Sequence, residues 1–100
     1  MRIRFVQSGG FAGTLRHCTL DTATMSPDEA RVLEDLVGKA DLTKSSEARS
    51  SSARDLEEYE VSIEGLGGQA TIVRDQSTLR PEAKALVAYL KKCAKPGLPQ

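Results

Sequence analysis

Residues 58–64 read Glu58-Tyr59-Glu60-Val61-Ser62-Ile63-Glu64, an unbroken alternation of polar and apolar side chains. A period of two is typical of a β-strand with one buried face and one solvated face. The turn sequence Gly65-Leu66-Gly67-Gly68 follows, and residues 69–74 return as a second run with alternating character. Together these segments predict a β-hairpin.

A second hairpin is predicted at the N-terminus. Met1, Ile3 and Phe5 recur at period two, which indicates a strand with one apolar face. After a glycine-rich connection, residues 14–20 predict a second strand, antiparallel to the first. Leu15 and Leu20 have opposite parity, so we expect a bulge or a shift of face in this strand.

Two amphipathic helices are predicted between and after the hairpins. Ser26-Pro27-Asp28-Glu29 combines a capping serine with a proline suited to the first helical position, and apolar residues recur at helical spacing up to residues 38–40. Pro81 opens the second helix. Its apolar stripe contains Ala83, Leu86, Val87, Leu90 and Cys93.

These elements predict an α+β fold in the order β-β-α-β-β-α. Two hairpins give a four-stranded, mainly antiparallel sheet, and both helices can cover one of its faces. We expect residues 1–100 to form a single domain. Residues 43–55 contain five serines and no large apolar side chain, which predicts a solvated, mobile loop.

Composition narrows the class of partner and the cell compartment. The 100 residues include 14 basic and 14 acidic side chains, so the formal net charge is zero. Nucleic acids and anionic membranes reward clustered basic surfaces, so neither partner is expected. No apolar run is long enough to span a bilayer, and we expect a cytoplasmic protein. Cys18 and Cys93 fit that compartment as reduced thiols, although a disulfide between them stays open.

The chain offers little for catalysis or metal binding. His17 is the only histidine, and no serine or cysteine lies in a nucleophile-elbow sequence. Cys18 follows His17 directly on a predicted strand, so the two side chains should point to opposite faces. One histidine and two distant cysteines match no zinc spacing. We therefore predict no enzymatic activity, no metal site and no cofactor, with His17 on the strand surface.

The acidic side chains Glu58, Glu60 and Glu64 form a row on the solvated face of their strand. Such a row is most simply a solvated surface. It could also dock a basic partner or discourage pairing of strand edges.

The connection in the first hairpin, residues 8–13, is the candidate binding loop. Its residues are Ser8, Gly9, Gly10, Phe11, Ala12 and Gly13. Three glycines permit positive φ and close approach to a partner, and they leave Phe11 with few neighbours to bury it. The plain alternative is a hairpin connection with Phe11 folded back on the sheet. Phosphate binding is disfavoured, because a dinucleotide loop needs a helix to follow and residues 14–20 are predicted as extended.

Several segments carry a resemblance to a known family. The opening, Met1-Arg2-Ile3-Arg4-Phe5 followed by residues 8–13, resembles that of the emfourin family, small protein inhibitors of protealysin-like metallopeptidases. Ser26-Pro27-Asp28-Glu29-Ala30 resembles the first helix of that family. Tyr59-Glu60-Val61-Ser62-Ile63 resembles its third strand, and Leu79-Arg80-Pro81 with residues 86–90 resembles its last helix.

The resemblance implies a non-enzymatic inhibitor of a thermolysin-type zinc endopeptidase, monomeric when free. Such peptidases prefer a bulky apolar side chain just after the scissile bond, so Phe11 would enter that pocket while the glycine backbone lies along the substrate channel. The zinc belongs to the peptidase, and this chain need supply no ligand.

The alternative is an interaction module that binds a non-protease partner through its open sheet face or a strand edge. The 41–56 loop and the acidic row are further candidates for the interface.

Overall fold

The computed structural model describes residues 1–9, 15–40, 46–48, 56–65 and 68–97. Within these ranges the elements follow in a fixed order along the chain. They are β1 (Arg2–Gly9), β2 (Arg16–Asp21), a 3-10 helix (Thr22–Thr24), α1 (Pro27–Ala40), β3 (Ser46–Ala48), β4 (Glu57–Gly65), β5 (Gly68–Asp75), α2 (Pro81–Cys93) and β6 (Lys95–Pro96).

The strands form one sheet in the order β3-β5-β4-β1-β2-β6. β1 lies in the centre and pairs antiparallel with both β2 and β4. β5 pairs antiparallel with β4, as the predicted hairpin requires, and β3 pairs with β5 in parallel. The predicted α+β class, with two helices and two antiparallel hairpins, is confirmed.

The predicted strand count of four and the predicted element order are wrong. The described residues form six strands, because Ser46–Ala48 and Lys95–Pro96 add short strands at the two edges of the sheet. Segments of three and two residues are too short to display a period-two pattern, so their pairing depends on the edge that they meet. Ser46–Ala48 falls inside the segment predicted as a loop, and the other residues of 43–55 lie outside the described part of the chain.

The predicted bulge in the second strand is also wrong. β2 pairs with β1 in an unbroken register from Arg16 opposite Gln7 to Asp21 opposite Arg2. The change of parity has a simpler cause, because Leu15 precedes the strand while Leu20 lies within it, opposite Ile3.

One face of the sheet forms the core with both helices. The fully buried Phe5 lies between Cys18 and Val61 on the neighbouring strands, and its ring stacks on Tyr59 with centroids 6.2 Å apart. Both helices contribute to the same buried cluster. Their buried residues are Leu33 and Ala40 on α1 and Ala83, Leu86, Val87 and Leu90 on α2.

The predicted helix starts are confirmed. Ser26 Oγ accepts a hydrogen bond from the Glu29 backbone N–H at 3.2 Å, which satisfies one of the free donors at the beginning of α1. Pro81 occupies the first position of α2, where its missing N–H costs no helical hydrogen bond. Both helices pack on the face that carries Ile3, Phe5 and Val61, and the opposite face carries the exposed side chains of Arg2, Arg4, Glu60 and Glu64.

Candidate functional site

The candidate binding loop leaves the sheet at the end of β1. Ser8 and Gly9 are the last residues of this strand and pair with Glu58 and Glu57 on β4. The other four residues of the predicted site, Gly10, Phe11, Ala12 and Gly13, lie outside the described residues. The loop therefore begins beside the first two residues of β4.

Gly9 has a conformation and a setting that only glycine fits. Its φ is 85°, in the left-handed region that side chains disfavour. A Cβ atom built on Gly9 would lie 2.9 Å from the backbone carbonyl oxygen of Leu56, closer than real Cβ contacts. The glycine-rich sequence predicted positive φ here, but nothing in the sequence indicated that Leu56 would be the neighbour.

The return of the loop is held by the segment after α2. The Leu15 carbonyl accepts a hydrogen bond from the Gly97 backbone N–H at 2.9 Å, and Arg16 pairs with Pro96. His17 Nδ1 lies 3.0 Å from the Gly97 carbonyl oxygen. Gly9 and Leu15, the residues on either side of the loop, are called its shoulders here. Both are attached to neighbouring backbone, because Gly9 pairs with Glu57 and Leu15 is bonded to Gly97.

A polar cluster supports the same end of the sheet. Glu57 Oε2 accepts hydrogen bonds from the Tyr59 hydroxyl at 2.8 Å and from Lys91 Nζ at 2.9 Å, and Lys91 Nζ also lies 4.8 Å from the centre of the Tyr59 ring. The cluster joins β4 to the last turn of α2 beside the point where β1 ends. No pattern in the sequence indicates this cluster, because Glu57 and Lys91 are 34 residues apart and meet only in the folded chain.

The hydrogen bonds in this cluster set its titration. The bond from Lys91, followed by that from Tyr59, lowers the pKa of Glu57. Burial alone would lower the pKa of Lys91, but its contacts with Tyr59 and Glu57 outweigh burial and raise that pKa. Burial is the main cause that raises the pKa of Tyr59. The cluster is therefore an ionised Glu57–Lys91 pair against a neutral tyrosine.

Gln7, two residues before Gly9, is buried with 5 % of its surface exposed. It lies opposite Arg16 on β2 and Tyr59 on β4, and among the described residues its Oε1 has no hydrogen-bond partner. A buried acceptor without a partner costs about 1–3 kcal/mol, so stability alone does not favour a glutamine here. The alternation of β1 predicts that position 7 faces inward, but it does not predict a polar side chain there.

The open sheet face carries mixed charge rather than a continuous acidic surface. Glu60 and Glu64 of the acidic row are exposed and Glu58 is half-buried. Arg2 lies opposite Glu64, and Arg4 lies opposite Ser62. The basic side chains of β1 are therefore next to the acidic side chains of β4 on this face.

Two further features bear on the function class. Within the part of the chain that the structure describes, no cluster of three His, Cys, Asp or Glu side chains could hold a metal ion. No helix in those same ranges combines the length and the apolarity needed to cross a bilayer.

Comparison with known proteins identifies the family. No curated protein and no solved structure matches the chain. The Emfourin family model matches residues 5–91 of the 100-residue chain, which includes the second part of β1, the candidate loop, β2, α1, the second hairpin and most of α2. The protein therefore belongs to the Emfourin family, a family of metallopeptidase inhibitors.

Proposed function

We propose that this protein inhibits a protealysin-like zinc endopeptidase of the thermolysin type, with residues 8–13 in the substrate cleft of the enzyme. The match to the Emfourin family over residues 5–91 is the observation that carries this proposal. The target and the mode of binding go beyond that match and rest on the chemistry of the loop.

In this mechanism Phe11 occupies the apolar pocket that receives the side chain just after the scissile bond. The glycine backbone on either side lies along the channel as an extended substrate would, with main-chain hydrogen bonds to the enzyme. Thermolysin-type enzymes hold their own catalytic zinc, so the inhibitor supplies shape and an apolar anchor rather than a metal ligand. The protein itself is proposed to be non-enzymatic.

The rigid shoulders of the loop support the proposal. Association is opposed by the entropy lost when flexible loops become ordered, and a loop held at both ends loses less. Gly9 packs against the Leu56 carbonyl, and Leu15 is bonded to Gly97, so the path of the chain into and out of the loop is restricted before binding. This arrangement favours slow dissociation from a cleft of complementary shape.

A titration tests the proposed function. A purified protealysin-like peptidase is mixed with increasing amounts of this protein, and residual hydrolysis of a peptide substrate is measured. We expect activity to fall to zero at a one-to-one ratio when the enzyme concentration exceeds the dissociation constant. Full activity at a large excess of this protein would overturn the proposal for that class of enzyme.

The alternative, an interaction module for a non-protease partner, uses the exposed mixed-charge face formed by β1 and β4. Purification of the complex from cells that produce both proteins separates the two functions. The inhibitor proposal expects a metallopeptidase in stoichiometric amount, and a different partner without any metallopeptidase would favour the module.

A further inference from the structure

A cleft of about 580 Å³ is lined by residues of β2, of β6 and of the end of α2. Both cysteines of the chain line it, together with Leu20, Lys95 and Pro96. Both are free thiols. Gly9 and the Glu57 cluster do not line the cleft, whereas His17, Pro96 and Gly97, at the return of the candidate loop, do. The proposed inhibition does not use either thiol.

The backbone brings the two cysteines to one contact between β2 and α2. Cys18 Sγ lies 3.6 Å from the carbonyl oxygen of Leu90 and donates a weak hydrogen bond to it. Leu90 and Cys93 are three residues apart on α2, and residues at this spacing are neighbours on one side of a helix, with Cβ atoms about 5–6 Å apart. Cys93 therefore lies one turn beyond the point where Cys18 meets the helix.

The two thiols differ in accessibility. Cys18 is buried and Cys93 is half-buried, so a reagent in the cleft meets Cys93 first. Burial, and then the neighbouring Cys93, raises the pKa of Cys18 to about 11, which agrees with a protected thiol that reacts second. Lys95 adds positive charge to the cleft, which suits an anionic reagent.

We propose that Cys18 and Cys93 form a reversible thiol–disulfide site, oxidised by an anionic low-molecular-weight disulfide of the glutathione class. The Cys93 thiolate attacks one sulfur of the reagent, forms a mixed disulfide and releases one thiolate. Cys18, once deprotonated, then attacks the Cys93 sulfur and releases the second thiolate. The two protein thiols lose two electrons and two protons, and the reagent disulfide is reduced to two thiols.

The bridge links β2 to the end of α2 and so closes the cleft covalently. A cross-link between distant parts of a chain reduces the freedom of the unfolded state, and we expect the oxidised form to unfold at a higher temperature than the reduced form. The site is independent of the inhibitory loop in its chemistry, so its test needs no peptidase.

Mass spectrometry of the intact, acid-quenched protein tests the site after incubation with oxidised glutathione. We expect the wild type to lose the mass of two hydrogen atoms, to yield a peptide pair linked through Cys18 and Cys93, and to return to the starting mass with dithiothreitol. A wild type that keeps a glutathione adduct on Cys93, stays unmodified or forms a Cys93-linked dimer would overturn the proposal.

Two matched variants assign the order of the steps. Cys18→Ser should stop at the Cys93–glutathione adduct, because the resolving thiol is gone. Cys93→Ser should stay unmodified, because the remaining thiol is buried. Rapid modification of Cys93→Ser would contradict the assigned order. The mass of the oxidised wild type shows whether the disulfide forms, even where a variant fails to fold.

Discussion

At the level of single residues, Gly9 determines how the chain leaves the sheet. An L-residue at a φ of 85° costs about 1–2 kcal/mol, and the added Cβ would also press against the Leu56 carbonyl at 2.9 Å. We expect Gly9→Ala to lower the free energy of unfolding by about 2 kcal/mol or more, measured by urea denaturation.

Two other glycines serve as controls for that prediction. Gly38 lies within α1 with no atom within 4 Å of an added Cβ, so Gly38→Ala should stabilise the protein by about 0.5–1 kcal/mol. Gly97 has a φ of 110° but open space around it, so Gly97→Ala isolates the backbone cost from the steric one. A Gly9→Ala protein as stable as the wild type would mean that the close approach to Leu56 is not maintained in solution.

Lys91 is the second residue whose contribution can be measured directly. Its side chain and that of Glu57 are 36 % and 29 % exposed, so solvent screens their pair, and Lys91→Met should cost about 1 kcal/mol at neutral pH. Lys92→Met, on the same helical turn but exposed, is the matched control and should change the unfolding free energy little.

The contribution of this cluster depends on pH with a definite sign. The pKa of Glu57 is lowered in the folded state, so its stabilising effect is complete above the ordinary value of 4.5 and is lost as pH falls through the folded value. The pKa of Lys91 is raised, so its effect is complete below 10.5 and is lost as pH rises through the folded value. The difference between wild type and Lys91→Met should thus shrink as pH falls below the ordinary value of 4.5 and through the lowered pKa of Glu57. A difference that stays constant over that range would contradict the ion pair.

At the level of elements, regular patterns made most of the fold predictable. β1 has eight residues, β4 has nine and each helix has about four turns, so each repeats the period that identifies it. A capping serine marks the start of α1, and a proline at the first helical position marks the start of α2. The two edge strands carry no such pattern, because their stability comes from the backbone groups of β5 and β2 that they meet. The antiparallel hairpins could be predicted from the sequence, whereas the two short edge strands could not.

The candidate site was predictable only in part, for a related reason. The glycines at positions 9, 10 and 13 and the aromatic Phe11 indicate a binding loop by composition. The groups that support it, Leu56, Glu57 and Lys91, come from other elements and meet the end of β1 only through sheet pairing and helix packing. No local pattern in a single sequence specifies such contacts.

A substitution on the open face of the sheet distinguishes the two proposed modes of binding. Arg4 is exposed in the middle of this face, opposite Thr19 and Ser62. We expect Arg4→Glu to leave inhibition of a protealysin-like peptidase within about twofold of the wild type. Arg4 lies in the middle of β1, whereas the loop begins after Gly9 at its end, and surface substitutions away from a contact change little. Inhibition constants of the two proteins check this. A loss of tenfold or more would move the interface to the open face.

At the level of the whole molecule, the proposed function makes the fold a support for one short loop. The fully buried Phe5 and Leu90 belong to a single core that joins the sheet to both helices, and the shoulders of the loop are attached to that core through β1, β4 and the segment after α2. In the proposed function, a support of this kind restricts the two ends of the loop, so that less freedom is lost when the loop enters a cleft.

The central claim is that Phe11 anchors this protein in the substrate cleft of a zinc endopeptidase, and one pair of variants tests it most directly. Val32 on α1 is 50 % exposed and lies far along the chain from the loop, so Val32→Ala removes an exposed apolar side chain from another element as a control. We expect Phe11→Ala to weaken inhibition of a protealysin-like peptidase by about 30-fold or more, since loss of a buried aromatic anchor costs about 2 kcal/mol or more, while Val32→Ala inhibits like the wild type. Equal inhibition constants for Phe11→Ala, Val32→Ala and the wild type would contradict the claim.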